Sequence, residues 1–212
     1  MSTTLATLRT KTRIFLDDPN ARNWTDAVID THINDAQRGL WVTLSDQDGS
    51  FGLREATATM VDGQSDYPFP ADILGRRIRK LYAYDSVTDD WEEVVEGSLE
   101  EVIAEGMTEV DNPYKYCTFD GYFKVGPPPS SAANTLRVVY TRQPTQLSAA
   151  TDSMDSDDEY AEIISCDAAI RAMRTKGGDV TYLTNQKVEL LAEAQKSVIK
   201  EDLLTSRLAW NY

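Results

Sequence analysis

The hydrophobic period of this chain changes twice, and that change limits the folds open to it. Up to about residue 50 the apolar side chains recur every three or four positions. From Arg54 to Tyr140 they alternate, and after Ser156 the helical spacing returns. A helical stripe and a strand face need different spacings, so each segment suits one element and not the other. The chain is therefore expected to be α+β, with a helical bundle from the N- and C-terminal segments and a small antiparallel β-rich lobe inserted between them. The divisions read as 1–50 for the first half of the helical body, 51–149 for the inserted lobe, and 150–212 for the second half with a long C-terminal helix and tail.

Leu5, Leu8, Thr12, Phe15 and Leu16 share one helical face. Asp17-Asp18-Pro19-Asn20 ends that helix, because proline disfavours helix in the residue before it. A second helix begins near Thr25 and carries Ile29, Ile33, Ala36, Leu40 and Leu44 at intervals of three and four. In the middle, Thr57, Thr59 and Val61 alternate with Ala56, Ala58 and Met60. Further strands are expected from Arg76 to Asp85 and over Trp91 to Val95, with the stretch DYPFPAD as a proline-stiffened connection between them and the first strand. Ser98 and Glu101 form a capping box for a short helix, Leu99 to Glu105.

Asp120-Gly121 is the sharpest turn signal, since a type I′ hairpin needs positive φ at both central residues. It sets Phe119 opposite Tyr122 and Thr118 opposite Phe123. Tyr116, Thr118, Phe123 and Val125 then share one face, expected to be buried. Pro127-Pro128-Pro129 lacks flanking basic residues and reads as a connector that ends one strand before Leu136, Val138 and Tyr140 begin the next. Ser156 with Glu159 forms a second capping box, ahead of a helix whose buried stripe is Ile163, Cys166, Ile170 and Met173. A last helix is expected from about Leu183 to Ser206.

The chemistry legible in the chain is sparse. The formal net charge is −14, from 35 acidic and 21 basic residues, the wrong sign for holding nucleic acid through its phosphates. His32 is the only histidine and lies beside an apolar stripe, where a structural role is expected. Cys117 and Cys166 read as reduced, buried thiols. No phosphate-binding or nucleophile motif is present, and neither a signal peptide nor a membrane span is expected. The acidic run Asp152 to Glu159 lacks the glycine of a calcium loop and reads as helix capping. No catalytic residue, cofactor or metal is expected. The one enzymatic alternative is a tail-associated glycan hydrolase using paired carboxylates near Trp91 or near Tyr114–Tyr122, with Glu92 and Glu93 as the positions to substitute. A DNA mimic is a third possibility, suggested only by charge.

Five stretches in order, NWTDAVIDTHINDAQRGL, YPFPADILGRRIRKLYAYD, GYFKVGPPP, LRVVYTRQPTQLS and DEYAEIISCDAAIRA, resemble the head-to-tail adaptor proteins of tailed bacteriophages. These are the head-completion, portal-binding proteins of the neck. The resemblance runs from Trp24 to Arg174. It implies a structural virion protein at the head–tail junction, present in the host cytoplasm during assembly. It further implies a homo-oligomeric ring, dodecameric in such adaptors. That ring docks under the portal protein, continues the channel through which genome DNA passes without specific binding, and offers a surface to the next tail or nozzle protein. The family's anchoring through its C-terminal helix and tail would place Leu203, Leu204, Leu208, Trp210 and Tyr212 at the portal or neighbour interface.

Overall fold

The computed structural model describes residues 2–86, 88–107, 111–130 and 134–194. The chain divides into two compact units: residues 1–43 with 144–212, and residues 44–143.

The first unit is helical. It contains α1 (Leu5–Phe15), most of α2 (Asp26–Gln47), a 3-10 turn at Asp158–Tyr160, α4 (Ala161–Thr175), and α5, described over residues 181–194. Thr4 caps α1 by accepting from the Thr7 backbone N–H. Residues 163–170 of α4 are all buried, as expected of a helix packed on every side. Ser165 of α4 reaches the Leu8 carbonyl of α1. On α2, Asn34 both donates to and accepts from the backbone of Leu147, at 3.0 and 2.8 Å. Gln37 donates to the Thr145 carbonyl at 2.9 Å. These amides fix the returning chain, whose own backbone groups would otherwise be buried without partners. Arg9 of α1 forks onto Asp30 of α2, with Nη2 2.6 Å from Oδ2.

The second unit overturns the expected architecture. The middle of the chain holds one seven-stranded mixed sheet, curled into a half-barrel, and not a small antiparallel lobe on a helical bundle. The strands are β1 (Leu53–Thr59), β2 (Asp66–Pro68), β3 (Ile73–Asp85), β4 (Asp90–Glu96), β5 (Lys115–Phe119), β6 (Tyr122–Gly126) and β7 (Thr135–Arg142). Their order is β1-β7-β3-β4-β5-β6-β2. β4 and β5 run parallel, joined by the crossover helix α3 (Leu99–Gly106), so the sheet contains a βαβ connection where a purely antiparallel lobe was expected. Local alternation identifies strands one at a time. The size of a sheet depends on pairings between distant segments, such as Ala58 of β1 with Leu136 of β7, and these leave no local mark.

β2 falls inside DYPFPAD, where a connection was expected. It is three residues long and sits at the sheet edge, where Pro68 disrupts no inner ladder. The hairpin forms as its turn requires. Asp120 and Gly121 have φ of 42° and 86°, and Phe119 pairs with Tyr122 and Thr118 with Phe123. Thr118 itself stays exposed. Phe123 is buried among Met60, Tyr67, Leu81, Val94, Leu136 and Val138, with Tyr67 stacked on it. Pro127 and Pro129 are buried. The carbonyls of Pro128 and Pro129 accept from Asp111 and Gly63, which holds this segment as a connector.

The two capping boxes diverge. Ser98 and Glu101 complete theirs at α3. At Ser156 the chain enters α4 through the 3-10 turn, and among the described residues no side chain caps either element and the buried Ser156 hydroxyl has no partner.

Candidate interaction surface

Pairing in the sheet sorts its residues into two faces. Ala58, Leu136 and Ala83 lie in one row across β1, β7 and β3, Leu136 and Ala83 in the core and Ala58 packed against it. One position along, Thr57, Arg137, Tyr82 and Glu93 form a row across β1, β7, β3 and β4. The next row on that same face is Thr59, Thr135, Tyr84 and Trp91. Every residue of these two rows is exposed or half-buried.

At the centre of this outer face the Arg137 guanidinium lies 4.3 Å from the Trp91 ring centre and 5.2 Å from that of Tyr82. Tyr84 and Trp91 pack with centroids 5.3 Å apart. Tyr84 donates to Asp89, and that bond raises its phenol pKa above the ordinary value. Lys80 sits 5.9 Å from the Tyr82 ring and 3.3 Å from the Glu93 carboxylate. Arg137 Nε is buried and has no hydrogen-bond partner among the described residues. The result is a held platform of Trp, Tyr and Arg. These are the side chains that carry most binding energy at protein interfaces, because they combine large area with few rotors and a polar end. Val95, two positions beyond Glu93, is 61% exposed beside it.

A smaller aromatic pair lies elsewhere in the unit. Phe119 and Tyr122 flank the hairpin turn and are each about half exposed.

The five residues expected at an interface from sequence, Leu203, Leu204, Leu208, Trp210 and Tyr212, lie outside the described residues, as do residues 195–206 of the helix expected to run to Ser206. The paired carboxylates fare differently. Glu92 and Glu93 are neighbours on β4 and project to opposite faces of the sheet. Glu93 pairs with Lys80, and Glu92 accepts from Asn112 at 3.3 Å. Two carboxylates on opposite faces cannot flank one glycosidic bond. His32 is half-buried, and desolvation, with Arg171 adding to it, lowers its pKa against the pull of Asp35.

In the acidic run, Asp152 accepts from the backbone of Ser148 and Ala149, Asp155 from Thr145, and Asp158 from Thr3. Among the described residues no group of His, Cys, Asp and Glu is arranged to hold a metal. Cys117 and Cys166 are buried thiols, and desolvation pushes Cys166 up to about 11.

Sequence reading missed Arg137, Tyr82 and Tyr84. A signal was present. Once Leu136, Val138 and Tyr140 are placed inward, Arg137 must face outward, and so must Tyr82 and Tyr84 beside Leu81 and Ala83.

The family model described as SU10 adaptor protein matches residues 3–203. No curated protein matches the chain.

Proposed function

Because this chain belongs to the SU10 adaptor protein family, and is therefore a structural adaptor of a phage virion, we propose that it docks as a ring under the portal, continues the DNA channel and presents the attachment surface for the next tail component. The match across residues 3–203 carries this reading.

Two physical features and one general requirement of rings support the finer parts. A net charge of −14 repels a polyanion, which suits a wall that DNA must pass without sticking. A ring subunit joins its neighbours through heterologous contacts, so it needs two different surfaces. The outer sheet face around Arg137, Trp91 and Tyr82 has the composition of a protein-docking site, and on this reading it receives the next tail component.

The experiment is to mix the purified protein with portal rings and sediment them. Rings that carry the protein down with them support the reading. Protein left entirely in the supernatant contradicts it.

A further inference from the structure

In the first unit, α2, α4 and α5 line a partly open cavity of about 170 Å³. Gly39, Leu40, Ile163, Asp167, Arg171 and Lys187 are among its lining residues. Asp167 is buried and accepts from Arg171 Nε at 2.9 Å and from Lys187 Nζ at 2.8 Å. One carboxylate thus stands against two cations, and the cluster keeps one positive charge. The two terminal nitrogens of Arg171 have no acceptor among the described residues.

Gly39 makes room for that guanidinium. A Cβ added there would lie 3.2 Å from Arg171 Nη2. Glycine is the poorest helix former after proline, yet here it occupies the interior of a 22-residue helix. Close approach of the arginine gives a reason for it.

We propose that this cavity is a carboxylate socket, filled by an aspartate or glutamate side chain from a second copy of the chain. The free end of a guanidinium presents paired N–H groups that match the two oxygens of a carboxylate. The cavity holds the volume of several waters, at roughly 30 Å³ each, which is space for one acidic side chain. The occupant is a second copy because of charge. With 35 acidic and 21 basic residues, each copy offers its neighbour carboxylates in surplus, and a locally positive socket is complementary to that surface. A socket on one subunit filled by a different part of the next is a heterologous contact, the kind that closes rings. The occupant therefore rests on the ring reading above.

The test uses the full chain in two isotopic forms, ¹⁴N and ¹⁵N, mixed and allowed to associate. A zero-length carbodiimide then joins Lys187 to any carboxylate that touches it, and the linked peptides are read by mass spectrometry. A same-chain link to Asp167 serves as the internal control. Links from Lys187 to an acidic residue of the opposite label support the socket. Sedimentation supplies the second readout. Arg171→Gln weakens self-association about tenfold, the loss of one charged hydrogen-bonded contact. Gly39→Ala narrows the socket and weakens association by a smaller factor, while its thermal midpoint stays level or rises, so misfolding cannot explain the loss.

Exclusively same-label links, or Arg171→Gln copies that associate as the wild type does, overturn the socket and leave the ring reading standing. Wild-type protein that stays monomeric with and without portal rings removes both.

Discussion

Arg137 on β7 rests over the ring of Trp91 on β4, 4.3 Å from its centre, although β3 runs between the two strands. Adjacent strands are spaced ~4.8 Å apart, so the arginine stem crosses a whole strand and covers Tyr82 on the way. This contact turns three strands into one surface, and it separates two properties that mutation can measure independently.

Replacing Arg137 or Trp91 with alanine is expected to cost little stability and much binding. A half-exposed cation–π pair is worth about 0.5–1 kcal/mol, whereas a docking hot spot is worth ~2 kcal/mol or more. Urea titration reads the first, and affinity for the next tail component, by surface plasmon resonance, reads the second. Equal losses in both would mean that the platform is structural only.

The Asp167 carboxylate should shape the acid limb of stability. Desolvation opposes its charge, but hydrogen bonds and charge from Lys187 and Arg171 outweigh this and lower its pKa. A lowered carboxylate contributes stability above its unfolded pKa of ~3.9 and loses it as pH falls through the folded value. Asp167→Asn should therefore destabilise by about 2 kcal/mol at pH 7. The gap between variant and wild type should narrow below about pH 4. Thermal melts at pH 7 and pH 3 decide this, and a gap of constant size would contradict it.

Gly126 is a steric prediction. A Cβ there would stand 2.6 Å from the Val102 carbonyl oxygen of α3, a backbone atom that cannot swing aside. Gly126→Ala should cost about 1–3 kcal/mol, the range for overpacking, measured as a shift in urea midpoint. No shift would mean that α3 moves freely on β6.

The two serines give a paired test. Ser98→Ala removes a working cap and should cost about 1 kcal/mol. Ser156→Ala removes a buried hydroxyl with no partner among the described residues, and should be neutral or stabilising within ~0.5 kcal/mol. Guanidinium unfolding of both variants, side by side, checks the contrast.

What the chain reveals before folding follows the range of each interaction. The hairpin at Asp120-Gly121 was legible because a type I′ turn is decided by two adjacent residues. The short edge strand around Tyr67 was hidden, since two nearby prolines speak against a strand and only pairing with β6 makes one. The parallel junction Val95–Lys115 was hidden because it depends on where α3 sets the chain down. The box at Ser156 matched in letters but failed in geometry, with Tyr160 instead standing at the start of α4. The platform was half legible. Alternation points Arg137 outward, but only the strand order brings Trp91 beneath it.

Electron cryomicroscopy of the virion neck addresses the central claim most directly. The account predicts a closed ring of this chain directly below the portal, its bore coaxial with the DNA channel, and the Arg137–Trp91 face of each copy covered by the next tail component. A neck without density for this chain, or single copies scattered with no ring, would contradict it.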